Sequence, residues 1–315
     1  MAMAMQAEVG AVNGAEGAAI RTRGLTKFYG KNRGIEDVDL DVREGEVFGF
    51  LGPNGAGKTT TIRTLLDEIR ATAGSATILG LDTHKEAMAI RRRIGYIPGD
   101  LALYPNLTGR DTLTYFANMR GGVDWSFVDE LAERLDSDLS RKVGDLSTGN
   151  RQKVGVIQAF MNRPDLLIMD EPTSGLDPLV QREFQTLVRK VAAEGRTVFL
   201  SSHTLSEVQR VADRVGIIRD GRLITVESVA GLRSKAMRRV EFVLDSEADV
   251  SDFQAVAGVR DVVVSGTHVE MSFDGDMGEL LKAATDEHAV ADIRTSEAGL
   301  EEIFLTYYHT EREAE

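Results

Sequence analysis

One stretch of the chain has the residue types and spacing to capture a phosphate: Gly52-Pro53-Asn54-Gly55-Ala56-Gly57-Lys58-Thr59-Thr60. It fits the pattern G-x-x-x-x-G-K-[ST] at every fixed position. A triphosphate carries several negative charges and needs donors packed more closely than side chains allow. Glycines at 52, 55 and 57 permit backbone angles closed to other residues. Their N–H groups can then turn inward as an anion nest. A helix starting behind the loop adds the positive end of its dipole. Lys58 supplies a full charge for the outer phosphates, and the Thr59 hydroxyl is placed to ligate Mg²⁺.

Four further positions could complete a nucleotide site. Asp170 follows the apolar run Leu166–Met169. It therefore ends a buried strand, where open α/β sheets bind their ligands. A carboxylate there can hold Mg²⁺ through water, and Glu171, next in the chain, is the candidate to orient and polarise an attacking water. His203 ends a second buried strand, Thr197–Leu200, and reads as a contact to the γ-phosphate. Tyr29 closes a first strand, Ile20–Phe28, and could stack on adenine.

The elements that must position these residues follow from the hydrophobic pattern. Val47–Leu51 reads as a buried strand feeding the phosphate loop, and Thr60–Leu66 as the helix after it. Ile35–Val42 alternates as a half-exposed strand. Ser75–Leu79 and Ile94–Ile97 are short strands. Thr108 with Asp111 is a capping pair for a helix Thr112–Met119, and Asp124 can cap Phe127–Leu135. Leu146-Ser147-Thr148-Gly149-Asn150-Arg151-Gln152 leads into a helical run, Val154–Met161. Pro178 is placed to start the helix Leu179–Ala193. A helix from about Leu205 and a strand Val215–Ile218 close a large domain, residues 20–225. Val226–Ala236 reads as a linking helix. The order β-α-β-β-α-β beyond it indicates a small ferredoxin-like domain, followed by a closing helix Leu300–Tyr308.

Composition bounds the partners. Of 315 residues, 42% are apolar, which supports a sizeable core, and the net charge of −13 argues against a nucleic-acid backbone as the main partner. There are no cysteines, so disulfides, thiolate metal sites and cysteine nucleophiles are excluded. No run approaches the ~18 apolar residues of a membrane span. Residues 1–19, rich in Ala and Gly without Lys or Arg, read as a disordered tail rather than a secretory signal.

Taken together, these motifs resemble the nucleotide-binding subunit of an ATP-binding cassette (ABC) transporter. The likeness runs over residues 20–225: Tyr29 as aromatic loop, Gly52–Thr59 as Walker A, and Leu146–Gln152 as signature. Leu166–Glu171 matches Walker B, Ser174–Asp177 the D-loop and His203 the switch histidine. Leu300–Phe304 resembles the appended domain of ABC-2-type export ATPases. The resemblance implies a P-loop α/β ATPase core with a helical subdomain at about 99–163, and a C-terminal α+β domain over 226–315. It implies ATP and Mg²⁺ as ligands, bound by residues 52–60 and Tyr29, with Thr59 and Asp170 at the metal and Lys58, Glu171 and His203 in catalysis. Ser147 and Gly149 of one subunit would cover the γ-phosphate held by another, in a head-to-tail dimer. A separate ABC-2-type permease would make the chain a peripheral protein of the cytoplasmic membrane face, driving export of a drug, antibiotic or lipid-like molecule.

Two departures from the family pattern stand out. The signature is Leu-Ser-Thr-Gly-Asn where Leu-Ser-Gly-Gly-Gln is usual. After Gly95-Tyr96-Ile97-Pro98 the family usually has a glutamine, and here Gly99-Asp100 follows, so that Asp100 substitutes or the contact is lost. A soluble cassette ATPase of translation or DNA repair is the competing reading. Such proteins usually carry two cassettes or a long coiled-coil insertion, and neither is present.

Overall fold

A computed structural model of the chain describes residues 17–235 and 238–297. The expected helix Leu300–Tyr308 and most of the expected tail lie outside them. Ala18 and Ala19, expected in the tail, begin the first strand. The chain divides into two compact units, one comprising the residues up to Thr204 with Arg210–Val226, the other Leu205–Gln209 with the residues from Glu227 on. Among the described residues no helix is long and apolar enough to cross a membrane.

The first unit opens with β1 (Ala18–Tyr29), β2 (Asn32–Val38) and β3 (Asp41–Arg43), then β4 (Val47–Leu51) and α1 (Lys58–Leu65). Next come β5 (Ala73–Ile78), β6 (Leu81–Asp82), α2 (Ala87–Arg93) and β7 (Ile94–Ile97). Three helices without a strand between them follow: α3 (Gly109–Met119), α4 (Trp125–Arg134) and α5 (Thr148–Phe160). β8 (Leu166–Asp170), α6 (Pro178–Ala193) and β9 (Thr197–Ser202) precede the short α7 (Leu205–Gln209), which belongs to the second unit. The hairpin β10 (Arg214–Arg219) and β11 (Arg222–Ser228) ends this stretch.

Two sheets form the first unit. β2, β1, β5 and β6 make an antiparallel sheet in that order, with β3 also on β1. The second has the order β11-β10-β4-β9-β8-β7, and its strands from β10 to β7 run parallel. β4 and β8 are buried at every residue, as strands with both faces covered must be. Phe48 and Phe199 are register partners on β4 and β9, stacked at 5.8 Å, and Phe50 meets Phe199 at 5.5 Å. Burying each such ring contributes about 1.5–3 kcal/mol before ordering costs.

Local signals set the helix starts. Thr108 and Asp111 form a reciprocal capping box on α3, and the Asp124 carboxylate accepts from the Ser126 and Phe127 amides at the start of α4. Asp177 accepts from Leu179 and Val180 at 3.0 Å ahead of Pro178. The Val180 amide foremost, with that of Leu179, holds this exposed carboxyl below the usual aspartate range.

Two expectations are corrected. Ile35–Val42 is two strands, not one. The fully buried Thr22 hydroxyl donates to Val38 O (2.7 Å) and accepts from Leu40 N (2.8 Å), bridging the break beside the backbone bond from Thr22 N to Leu40 O. Val226–Ser228 belong to β11, not to a helix, which starts only at Val229 (α8, Val229–Lys235). Asp220 and Gly221, with φ of 48° and 78°, make the tight hairpin turn that an Asp-Gly pair favours.

The second unit also contains β12 (Arg238–Leu244), α9 (Ser251–Gln254), β13 (Val259–Ser265), β14 (His268–Phe273), α10 (Met277–Glu287) and β15 (Val290–Glu297). Its antiparallel sheet has the order β13-β14-β12-β15, the ferredoxin-like arrangement. Val240, Phe242, Phe253, Met271, Phe273 and Leu280 fill its core. Asp252 of α9 accepts from Asp249 N (2.7 Å) and lies 3.2 Å from His288 Nε2, which ties α9 to the end of α10.

Candidate active site

The parallel sheet brings three strand ends to one edge. Leu51 of β4 lies opposite Ser202 of β9, and Ser201 lies opposite Asp170 of β8. The segments beginning at Gly52, Glu171 and His203 therefore leave the sheet side by side, at the carboxyl ends where α/β sheets bind ligands.

The loop from Gly52 to Gly57 turns tightly between β4 and α1. Gly55 and Gly57 take left-handed φ angles of 81° and 108°, as expected. Gly52 does not. A Cβ there would overlap the Ile218 carbonyl, so close approach requires glycine at this position, not backbone angle. Ala56 N donates to Pro53 O at 3.2 Å across the loop, which places Asn54 and Gly55 at its tip. Gly221 N donates to Ala56 O at 2.9 Å, tying the loop to the β10–β11 turn. The Thr60 carbonyl accepts from the Thr64 hydroxyl at 2.7 Å within α1.

Lys58 is buried and its Nζ is turned back on the loop. It donates to Gly52 O at 2.6 Å and Pro53 O at 3.2 Å, and stands 3.2 Å from Glu171 Oε1. That carboxylate oxygen is buried and has this ion pair but no aligned hydrogen bond. The second oxygen, Oε2, lies 2.8 Å from His203 Nδ1. A buried ammonium resting on carbonyl dipoles at the start of a helix is suited to a multiply charged anion.

Beside it, the Thr59 hydroxyl donates to Asp170 Oδ2 at 2.6 Å. Asp170 is 1% exposed, and its other oxygen accepts from the Ser201 hydroxyl. The donor set is oxygen only, and hard oxygens suit Mg²⁺. Thr59 and Asp170 thus fit the expected metal.

Glu171 takes φ of 49°, a left-handed conformation uncommon outside glycine. Its amide is held by Ser201 O at 3.3 Å and Ser201 Oγ at 3.1 Å. Strain of this kind persists where neighbours over-determine it, and it clusters at functional sites. Ser201 is the residue that sequence reasoning missed. It braces Asp170 and Glu171 together, and its only signal was a serine pair at the end of an apolar strand. Ser201→Ala leaves the Asp170 oxygen short of a donor. It is expected to lower stability by about 1–3 kcal/mol, measured by urea unfolding, and to slow phosphate release.

Tyr29 is 48% exposed at the end of β1. Its ring edge and the Thr60 methyl lie 2.8 and 3.0 Å from where a Cβ on Gly34 would stand. The bare Gly34 thus brings the ring near the start of α1. Ser147 is the N-cap of α5, accepting from Asn150 N at 3.2 Å. A Cβ on Gly149 would overlap the Gly175 carbonyl, so the signature packs on the D-loop. Among the described residues, Ser147 hydrogen-bonds to Asn150, and a Cβ on Gly149 would meet Gly175 and Leu176 rather than the phosphate loop.

Asp100 is exposed, without a hydrogen bond or ion pair to the described residues, and it is Gly99 that meets Asp170. Asp100→Ala is therefore expected to leave the ATPase rate and its Mg²⁺ dependence within about twofold of the parent, read in a magnesium titration of phosphate release.

Comparison with known proteins shows which family the chain belongs to. A family profile described as ABC transporter matches residues 35–174. The bacitracin transport ATP-binding protein BcrA of Bacillus licheniformis is 37% identical over 293 residues, covering 91% of this chain and 96% of that protein. The chain belongs to the ABC transporter ATP-binding family. Another member, the daunorubicin resistance ATP-binding protein DrrA2 of Streptomyces coeruleorubidus, is 34% identical over 305 residues, 92% of this chain and 95% of that one. A solved dimeric ATP-binding cassette in a post-hydrolysis state with ADP and Pi shares the fold, at 24% identity and a TM-score of 0.62 over 67% of this chain and 98% of that one. As an ABC transporter ATPase, the chain hydrolyses ATP to drive transport.

Proposed function

We propose that this ABC ATPase powers export of an antibiotic-like small molecule through a separate ABC-2-type permease, working as a head-to-tail dimer at the cytoplasmic membrane face. The observation that carries the mechanism is the closed set Lys58–Glu171–His203 beside Thr59–Asp170. The export reading is supported by relatives named for bacitracin transport and daunorubicin resistance that span nine-tenths of the chain.

The roles follow from the contacts. The loop 52–57 and the start of α1 hold the phosphates, with Tyr29 against the adenine. Lys58 exchanges the Gly52 and Pro53 carbonyls for outer phosphate oxygens. Glu171 is thereby released from its cation and can take the proton of an attacking water. The water oxygen bonds to the γ-phosphorus as the bond to the β–γ bridging oxygen breaks. His203 orients the Glu171 carboxylate through its other oxygen and stands at the γ-phosphate side. Thr59 and Asp170 would hold Mg²⁺, whose charge would neutralise that of the outer phosphates.

Ser147 and Gly149 sit at the N-terminus of α5, where amides and dipole favour an anion. Each chain carries one signature and one phosphate loop, so two chains make two complete sites. A groove of about 910 Å³, walled by Tyr96, Leu101, Phe116 and Met119 and also by Arg91, Arg92, Arg120 and Glu68, suits an amphipathic helix of the permease. The ferredoxin-like unit is assigned an accessory role.

The test is capture of tagged Glu171→Gln protein from native membranes in Mg-ATP. Recovery of a multi-spanning membrane protein is expected. Recovery of ribosomes or repair factors alone would favour the soluble cassette reading.

A further inference from the structure

Ile97 of β7 lies opposite Met169 of β8, so Gly99 arrives beside Asp170. A Cβ on Gly99 would stand 2.9 Å from Asp170 Oδ2 and 3.2 Å from its Cγ, closer than a packed core tolerates. The carboxylate cannot swing aside without loss. Thr59 donates to one oxygen at 2.6 Å, Ser201 donates to the other, and the residue is buried. Two residues on, the complement occurs. Leu101 seats its side chain in the notch of Gly155 on α5, with Cδ2 2.5 Å from where a Cβ would be. One short loop thus touches the metal-side carboxylate at one end and the signature helix at the other.

We propose that Gly99 is a positioning residue. Its bare Cα lets Asp170 stay on Thr59 and Ser201, and the loop carrying Leu101 senses the metal through that packing contact, without an amide side chain at position 99. The proposal rests on the reading of Thr59 and Asp170 as the Mg²⁺ residues. Its consequence runs against the family pattern: restoring the usual glutamine disrupts this site.

The experiment uses the full chain carrying Gly99→Gln or Gly99→Ala. Mn²⁺ uptake with a non-hydrolysable ATP analogue is followed by electron paramagnetic resonance, and analogue affinity is measured separately in EDTA. Mn²⁺ affinity is expected to fall about tenfold in both variants, the scale of one displaced polar contact, with metal-free nucleotide affinity within about twofold. Gly99→Gln protein that binds Mn²⁺ as tightly as the parent, or more tightly, overturns the proposal. A parent chain showing no nucleotide-dependent Mn²⁺ signal overturns the Thr59–Asp170 assignment and the proposal with it. Melting temperature gives a second, independent reading. Gly99→Ala should lower it in the parent but not in an Asp170→Ala background. An equal fall in both would show that the carboxylate contact is not what glycine protects.

Discussion

Glu171→Gln is expected to bind Mg-ATP as well as the parent and to hydrolyse it at least about a hundredfold more slowly, the scale of a lost general base. The substitution keeps the shape and the hydrogen-bond reach of the side chain. What it removes is the carboxylate that pairs with Lys58 at 3.2 Å and with His203 Nδ1 at 2.8 Å. Binding belongs to the loop amides and Lys58, which the change leaves in place. The left-handed backbone at residue 171, pinned by Ser201, stays as well, because the side chain does not set it. Single-turnover phosphate release with nucleotide-binding isotherms separates the two effects. A Glu171→Gln rate near the parent's would remove this residue from the role of base.

Lys58→Ala is expected to lose nucleotide affinity itself, by about a hundredfold or more. The ammonium is the full positive charge inside the loop, and it is buried. Taking one partner from a buried ion pair typically costs about 3–5 kcal/mol. Here the Glu171 carboxylate would lose its cation at Oε1 and keep only His203 at Oε2, so an uncompensated acid would oppose the incoming phosphates. Calorimetric titration with ATP in the presence of EDTA reads this loss without involving the metal. Affinity retained within a few fold would mean that the loop amides alone hold the phosphates.

Much of the site was legible because its signals are local. Gly52–Thr59 lies between an apolar run and a helical one, and Asp170-Glu171 and His203 each end a buried run, so the sheet alone brings them together. Ser201 was not legible. A serine at the end of an apolar strand looks the same whether it faces solvent or braces two carboxylic residues. The break between β2 and β3 was hidden for a related reason. The Thr22 hydroxyl that bridges the break acts from 16 and 18 residues away. The misread helix at Val226 had a different cause. Val226, Val229 and Leu232 recur at near-helical spacing, and that period outweighed the Asp220-Gly221 turn that demands a second strand. Gly99 showed in the sequence only as a missing glutamine. Its fit against Asp170 needs the β7–β8 register.

The central claim is that one chain holds half of each ATP site and a second copy completes it. Light scattering of the Glu171→Gln protein, with and without Mg-ATP, tests this most directly. The account predicts a species of twice the 34.4 kDa chain mass in Mg-ATP only, abolished by Ser147→Asp, which keeps an N-cap on α5 and sets a negative charge at the signature. The same monomeric mass in both conditions, or a dimer indifferent to nucleotide and to the signature, would contradict it.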